Sequence, residues 1–134
     1  MKKITNRSSG GRDNLDYTLI DDGVDFEIIA CIGNVEVGLV RCDRDGDQLI
    51  LADICVSKEQ RRQGIGGELL KRLIIEADRV AIGLIFGSIT PDAIREQPFL
   101  LGWYERHGFR VMPADGQCLR GAVNKIVRER ESWP

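Results

Sequence analysis

The sequence predicts an α+β domain: a mixed central sheet with an antiparallel N-terminal meander and two flanking helices. Three observations predict it. Residues 16–56 hold apolar, β-branched runs cut by Asp- and Gly-containing turns. Residues 65–77 carry an apolar stripe at helical spacing. Strand-like and helical segments then alternate, giving the order β-β-β-β-α-β-α-β-β, which belongs to an α+β chain with a mixed sheet.

Each element has its own local reason. Residues 1–14 are polar, contain Ser8-Ser9-Gly10-Gly11, and read as a flexible lead-in. Asp16–Ile20 is a short strand, ended by the turn Asp21-Asp22-Gly23. Phe26–Ile32 and Val35–Cys42 flank Gly33-Asn34, a two-residue hairpin signal. Asp43–Asp47 is a second turn, and Gln48–Val56 is the last strand of the meander. Ile65, Leu69, Leu70, Leu73, Ile74 and Ala77 then share one face of a helix over about Gln63–Arg79, with Glu68, Lys71, Arg72 and Glu76 on the other face. Val80–Ile89 reads as a buried strand. Pro91–Arg106 holds the second helix, with Pro98 near a start and Gly108 as its stop. Phe109–Met112 and Gly121–Glu129 close the sheet across the turn Asp115-Gly116.

Composition narrows the class. The chain has 134 residues, which suits one domain with a real core. No apolar run approaches the roughly 18 residues of a membrane span, and no apolar run follows the basic start as a secretory signal requires. A pI near 5.5 argues against general nucleic-acid binding. The spacings of Cys31, Cys42, Cys55 and Cys118 match neither a zinc pattern nor a Cys-x-x-Cys pair, so they read as reduced core cysteines of a cytoplasmic protein. With His107 the single histidine, a His-based metal site or a triad has almost nothing to be built from, and no metal is expected. Charge is uneven. Residues 1–57 hold 6 basic and 11 acidic side chains, a net of −5; residues 58–134 hold 13 and 10, a net of +3. Chance is one reading of this asymmetry; the functional one is an anion-binding second half and a cation-tolerant first half.

The segment richest in chemistry joins a strand to a helix: Val56-Ser-Lys-Glu-Gln-Arg-Arg-Gln-Gly-Ile-Gly-Gly-Glu. Gly64, Gly66 and Gly67 let the backbone approach a ligand closely. The first amides of a helix lack internal partners and sit at its positive end, so with Arg61 and Arg62 this loop is suited to a phosphate or pyrophosphate. It is not a P-loop, because Glu68 stands where the lysine must be. It is not a dinucleotide fingerprint either, because Leu69 replaces the third glycine and an antiparallel meander precedes it.

The pattern Arg61-x-x-Gly64-x-Gly66 resembles the acyl-CoA pyrophosphate loop of the GNAT superfamily of N-acetyltransferases. Leu101-Gly-Trp-Tyr-Glu-Arg-His-Gly-Phe resembles the family's later motif, a helix carrying a tyrosine and ending in Gly-Phe before a strand. Gln97-Pro98 falls where the family often has Asn, sometimes followed by Pro. The resemblance covers roughly residues 26–112 and makes residues 15–134 a single GNAT-like acetyltransferase domain with an acyl-CoA N-acyltransferase fold.

The resemblance implies acetyl-CoA as the cofactor. Arg61, Arg62, Gln63, Gly64, Ile65, Gly66 and Gly67 would hold its pyrophosphate. Backbone groups near Ile54 and Val56 would hydrogen-bond pantetheine in a gap between two splayed strands, one amide polarising the thioester carbonyl. Gln97 would take the place of the family Asn. Tyr104 matches the tyrosine that protonates the departing thiolate, although it also reads as a packing residue beside Trp103 and Phe99. Asp53, the one acid within its strand, is the candidate base. Strict alternation puts it on the face of Leu51 and Cys55, where apolar neighbours would raise its pKa; a structural acid at a strand bulge is the other reading. His107, at the end of the second helix, reads as a cap.

The expected activity is acetyl transfer from acetyl-CoA to a primary amine by direct attack in a ternary complex. The alternative is a CoA-binding sensor or interaction module without catalysis. The family places one or two helices between its first two strands, and none fits between Asp16–Ile20 and Phe26–Ile32 here. The expected acceptor side is therefore open or completed by a partner, with a homodimer as one such arrangement. It suits a cationic or macromolecular amine, whether a small molecule or a protein, with no nucleic acid and no membrane as partner.

Overall fold

A computed structural model describes residues 4–9 and 15–130. The chain runs β1 (Ile4–Ser9), β2 (Leu15–Asp21), β3 (Asp25–Ile32), β4 (Val35–Asp45), β5 (Gln48–Val56), α1 (Ile65–Arg79), β6 (Leu84–Ile89), α2 (Pro91–Glu96), α3 (Leu100–Arg106), β7 (Arg110–Pro113) and β8 (Asn124–Glu129). Among the described residues the strands form one sheet in the order β1-β2-β3-β4-β5-β6-β8-β7. The β5–β6 pair is parallel, and the others are antiparallel. A parallel pair needs a crossover, and α1 supplies it. The fold is thus the expected mixed sheet with an antiparallel meander.

Several boundaries differ from the sequence reading: β4 runs on through Asp45 into the span read as the turn Asp43–Asp47, β8 begins at Asn124 rather than Gly121, and three further differences have a clear local cause. Residues 4–9, read as part of a flexible lead-in, pair along β2 from Ile4↔Asp21 to Ser9↔Asp16; the rest of that lead-in lies outside the described residues. The strand read as Val80–Ile89 begins at Leu84, because residues 80–83 close α1: Ala81 takes φ +60° and the Ile82 amide bonds back to the Ala77 carbonyl at 2.9 Å. The helix read as Pro91–Arg106 is two helices. Pro98 has no N–H and disfavours helical geometry at the residue before it, and Gln97 accordingly leaves the helix at φ −135°, ψ 84°.

One face of the sheet carries the main core. Phe26, Ile28 and Ala30 of β3, Val40 and Cys42 of β4, Leu49 of β5 and Ile85 of β6 pack against Ile65, Leu69, Leu70, Leu73 and Ala77 of α1 and Tyr104 of α3. Close approach of α1 to β4 requires Gly38, where a Cβ would lie 3.1 Å from both Ile65 and Leu69 side chains. Every helix residue buried among those described belongs to this cluster, so α1 and α3 sit on one side.

The opposite face of β2–β5 carries no described helix. Its cross-strand rows follow from the register: Asp16–Cys31–Glu36, Thr18–Ile29–Leu39–Cys55, Ile20–Glu27–Arg41–Asp53, and Asp25–Asp43–Ile50. Much of the acidity of the first half of the chain is therefore gathered on one face that no described helix covers. A three-residue turn, Asp22–Val24, joins β2 to β3 in place of the helices that the resemblance leads one to expect. Of the cysteines, only Cys42 is a core residue; Cys31 and Cys118 are half-buried and Cys55 is exposed.

Candidate active site

The site begins where two strands part. β5 and β6 pair from Gln48↔Leu84 to Leu51↔Gly87 and no further. Beyond that point β5 stays with β4 and β6 stays with β8. The next residue of β5, Ala52, is a bulge: Cys42 faces Leu51 and Arg41 faces Asp53, so Ala52 has no partner. A bulge bends its strand and sharpens the twist, which turns β5 away from β6. A cleft of about 860 Å³ follows the opening, lined by β5, the loop before α1, β6, α2 and α3. That is ample for a large organic ligand.

The bulge also reassigns the side chains. Past Ala52 the alternation resets, so Ile54 lies on the core side with Leu51, while Asp53 and Cys55 lie on the uncovered face. The expectation that Asp53 shares a face with Leu51 is corrected: Asp53 is exposed, with Arg41 as its cross-strand neighbour and without an apolar enclosure. The other sequence reading, an acid at a strand bulge, describes its position. The backbone agrees with the new phase. The Ser57 amide donates to the Val37 carbonyl at 2.8 Å, and ladder alternation then turns the polar groups of Ile54 and Val56 toward the gap. The Val56 carbonyl accepts from Arg61 Nε at 3.1 Å.

The loop before α1 closes one end of the cleft. A 3-10 turn at Lys58–Gln60 leads to Arg61 and to Arg62, whose φ is +65°. Gly64 follows at φ +79° as the residue before the helix. Two left-handed residues this close curl successive amides toward one side, a concavity that suits an anion. The Glu68 amide is bonded to the Gly64 carbonyl at 3.0 Å, which leaves the amides of Ile65, Gly66 and Gly67 as the unpaired first turn. Arg61, Arg62, Gly64, Ile65, Gly66 and Gly67 all line the cleft. Gln63 instead reaches back, its amide nitrogen 3.5 Å from the Glu59 carbonyl.

Tyr104 enters the cleft from α3. It is 6% exposed, edge-on to Trp103 at 5.0 Å and to Phe109 at 5.6 Å. Burial, with lesser contributions from the nearby Cys42 and Asp53, pushes its pKa to about 12, so the phenol keeps its proton through the physiological range. Gln97 lines the cleft at the break between α2 and α3, its carbonyl capping α3 through the Leu100 amide. His107 ends α3, with Nδ1 2.8 Å from the Trp103 carbonyl, which agrees with a capping role.

Several lining residues were not singled out by sequence. Phe99, taken for core packing, is 82% exposed at the cleft. Its place directly after Pro98, in the helix break, was the available signal. Trp103 is half-buried beside Gly66 and His107 rather than central to the core. Ser88 and Cys55 enter the lining only through the strand separation, which no local pattern announces.

Comparison with known proteins agrees with this fold. The family model described as "Acetyltransferase (GNAT) domain" matches residues 25–111. Among solved structures, a GNAT-family acetyltransferase from Staphylococcus aureus MU50 is similar, with 22% identity, a TM-score of 0.65, and coverage of 81% of this chain and 69% of that one. The PaiA N-acetyltransferase of Thermoplasma acidophilum in complex with coenzyme A has 15% identity, a TM-score of 0.64, and coverage of 80% and 62%. The ribosomal-protein-S18-alanine N-acetyltransferase of Escherichia coli has 17% identity, a TM-score of 0.61, and coverage of 80% and 68%. The chain thus spans between 62% and 69% of the length of these three. No curated protein sequence matches.

Proposed function

The chain belongs to the GNAT acetyltransferase family, and from that premise we propose that it transfers an acetyl group from acetyl-CoA to a primary amine by direct attack in a ternary complex. The observation that carries the reading is the junction of two features in one cleft: an anion-suited loop at the start of α1 and an unpaired stretch of β5 backbone beside it. A long ligand with a phosphate end and an amide-rich arm fits both.

The bound thioester supplies an activated acyl group; the protein positions it and moves the protons. In this reading Arg61, Arg62 and the amides from Gln63 to Gly67 hold the pyrophosphate. The amides of Ile54 and Val56 orient the pantetheine arm, and one of them polarises the thioester carbonyl. Gln97 contacts the cofactor from the helix break. The hydroxyl of Tyr104 holds the proton that the thiolate takes as it leaves. Asp53, on the far side of the gap, accepts the proton that the attacking ammonium must lose. The uncovered acidic face beside Asp53 supports a cationic or macromolecular amine, a small molecule or a protein, as the acceptor. A second copy of the chain covering that face belongs to the same reading. Four free thiols suit a reducing compartment, which supports the cytoplasm as the location in this reading.

The burial of Tyr104 behind Trp103 and Phe109 favours a second reading, a CoA-binding module without turnover. A thiol-release assay with acetyl-CoA against a panel of primary amines separates the two. Tyr104→Phe is expected to lower kcat roughly 10- to 100-fold with the KM for acetyl-CoA within about twofold of wild type. Asp53→Ala is expected to lower the rate most at the acid end of the pH profile. Unchanged turnover in both variants overturns the catalytic assignments. CoA binding without turnover on any amine favours the module.

A further inference from the structure

The first turn of α1 and the last turn of α3 meet at a contact that the proposed chemistry does not use. Gly67 lies in that first turn, and its φ is not positive. Alanine is the better helix former at such a position, because it gives up less backbone freedom on folding. What a side chain would meet there accounts for the glycine. A Cβ on Gly67 would lie 3.3 Å from Nε2 of His107 and 3.8 Å from its Cε1. Gly66 beside it is looser: a Cβ there would meet Trp103 Cζ2 and Val56 Cγ2 at 3.8 Å, an ordinary contact. The turn is thus seated between β5 and α3, and its tightest point is the imidazole edge.

The imidazole is itself held. It is half-buried at the end of α3. The His107 amide donates to the Tyr104 carbonyl at 3.0 Å, and the Trp103 carbonyl takes its donor from the His107 ring, with Nδ1 at 2.8 Å. A carbonyl only accepts, so Nδ1 carries the hydrogen, and in the neutral ring Nε2 is the acceptor. The Trp103 ring lies against the imidazole at 4.7 Å, tilted by 52°. One hydrogen bond and one ring contact therefore keep the Nε2 edge on Gly67. Gly67 carries one of the unpaired amides of the first turn, and it lines the cleft together with Gly66 and Trp103. The contact thus reaches the anion-suited end of the cleft from the helix that carries Tyr104.

We propose that His107 is a positioning residue for the anion-suited loop. Bonded within α3 through Nδ1 and seated on Gly67 through Nε2, it sets how close the first turn of α1 comes to α3, and so where the amides that take the phosphate point. A cap on α3 needs only the Nδ1 bond; the Nε2 edge is the part that reaches the site. The inference rests on the reading of the cleft as a CoA site.

The test separates the two edges of the ring in the full chain, with CoA affinity read by titration calorimetry and stability by urea unfolding. His107→Asn keeps an amide donor for the Trp103 carbonyl and withdraws the far edge from Gly67. It is expected to weaken CoA binding roughly fivefold or more while the urea midpoint stays near the wild-type value. His107→Gln, whose longer amide returns a polar group toward the Nε2 position, is expected to recover part of the affinity. Gly67→Ala is expected to weaken CoA binding by a similar factor, despite its gain in helix propensity. In the double variant the loss is expected to stay at or below that of His107→Asn alone, because the added methyl then enters space the ring has left. Affinity within about twofold of wild type in His107→Asn overturns the proposal and leaves the histidine a cap. So do losses that multiply in the double variant, which make the two residues independent. If His107→Asn does not fold, unchanged affinity in Gly67→Ala overturns the proposal by itself. A wild-type protein that binds no CoA overturns the cofactor reading, and the positioning role with it; a wild-type protein that binds CoA, with variants that bind it equally well, leaves the cofactor reading standing.

Discussion

Arg62 is the residue where local strain and the proposed chemistry meet. A non-glycine residue at φ +65° costs of order 1 kcal/mol or more. In this loop the strain curls the amides before α1 toward the cleft, and the side chain adds a cation there. Arg62→Gly is expected to relax the strain and raise unfolding stability by about 1 kcal/mol, while raising the KM for acetyl-CoA several-fold; a urea titration and initial-rate kinetics check the two together. The spacing of glycines and arginines made this loop legible in the sequence, because an anion-suited helix start is a local property. Asp53 shows the opposite case. Its face depends on Ala52 having no partner in β4, and the single β5 segment cannot reveal that.

At the scale of elements, β5 and α1 are the parts that make the cleft. β5 is legible as a strand from its apolar residues. Its separation from β6 comes from the bulge and from the different neighbours that hold each strand, β4 on one side and β8 on the other. α1 is legible from its stripe, and the buried set Ile65, Leu69, Leu70, Leu73 and Ala77 repeats all but Ile74 of it. Its depth on the sheet is set by Gly38 of β4. A larger side chain there meets Ile65 and Leu69. Gly38→Val is expected to destabilise the fold by about 1–3 kcal/mol through overpacking, and by tilting α1 to weaken CoA binding as well; thermal unfolding and CoA titration read both effects. Arg128 of β8 clamps the far end of α1 through two 3.0 Å bonds to Asp78, so the tilt would act mainly at the loop end.

At the scale of the whole molecule, one face is packed and the other carries no described helix over β2–β5. The packed face keeps two acidic protons where water cannot compensate their loss: Cys42 and Tyr104 are both pushed up to about 12 by burial first of all. In the unfolded chain they titrate near 9.0 and 10.0, so between those values and 12 the unfolded state binds fewer protons and stability falls as pH rises. Their contribution is complete below pH 9 and is lost by pH 12. The expected outcome is a urea midpoint that drops between pH 9 and 12, with Tyr104→Phe removing roughly 2–3 kcal/mol of that slope. The face without a described helix gathers Asp16, Asp25, Glu27, Glu36, Asp43 and Asp53, residues scattered along the chain that only the register aligns. The sequence by itself determined the identities of β2 to β8 and of α1, the anion-suited loop and the family resemblance, because each depends on periodicity or spacing within a short segment. The tertiary structure decided where β5 leaves β6, which way Asp53 faces, and that the Leu119 and Val123 amides bond to Ser88 and Ile89, because each depends on which segments become neighbours across the sheet.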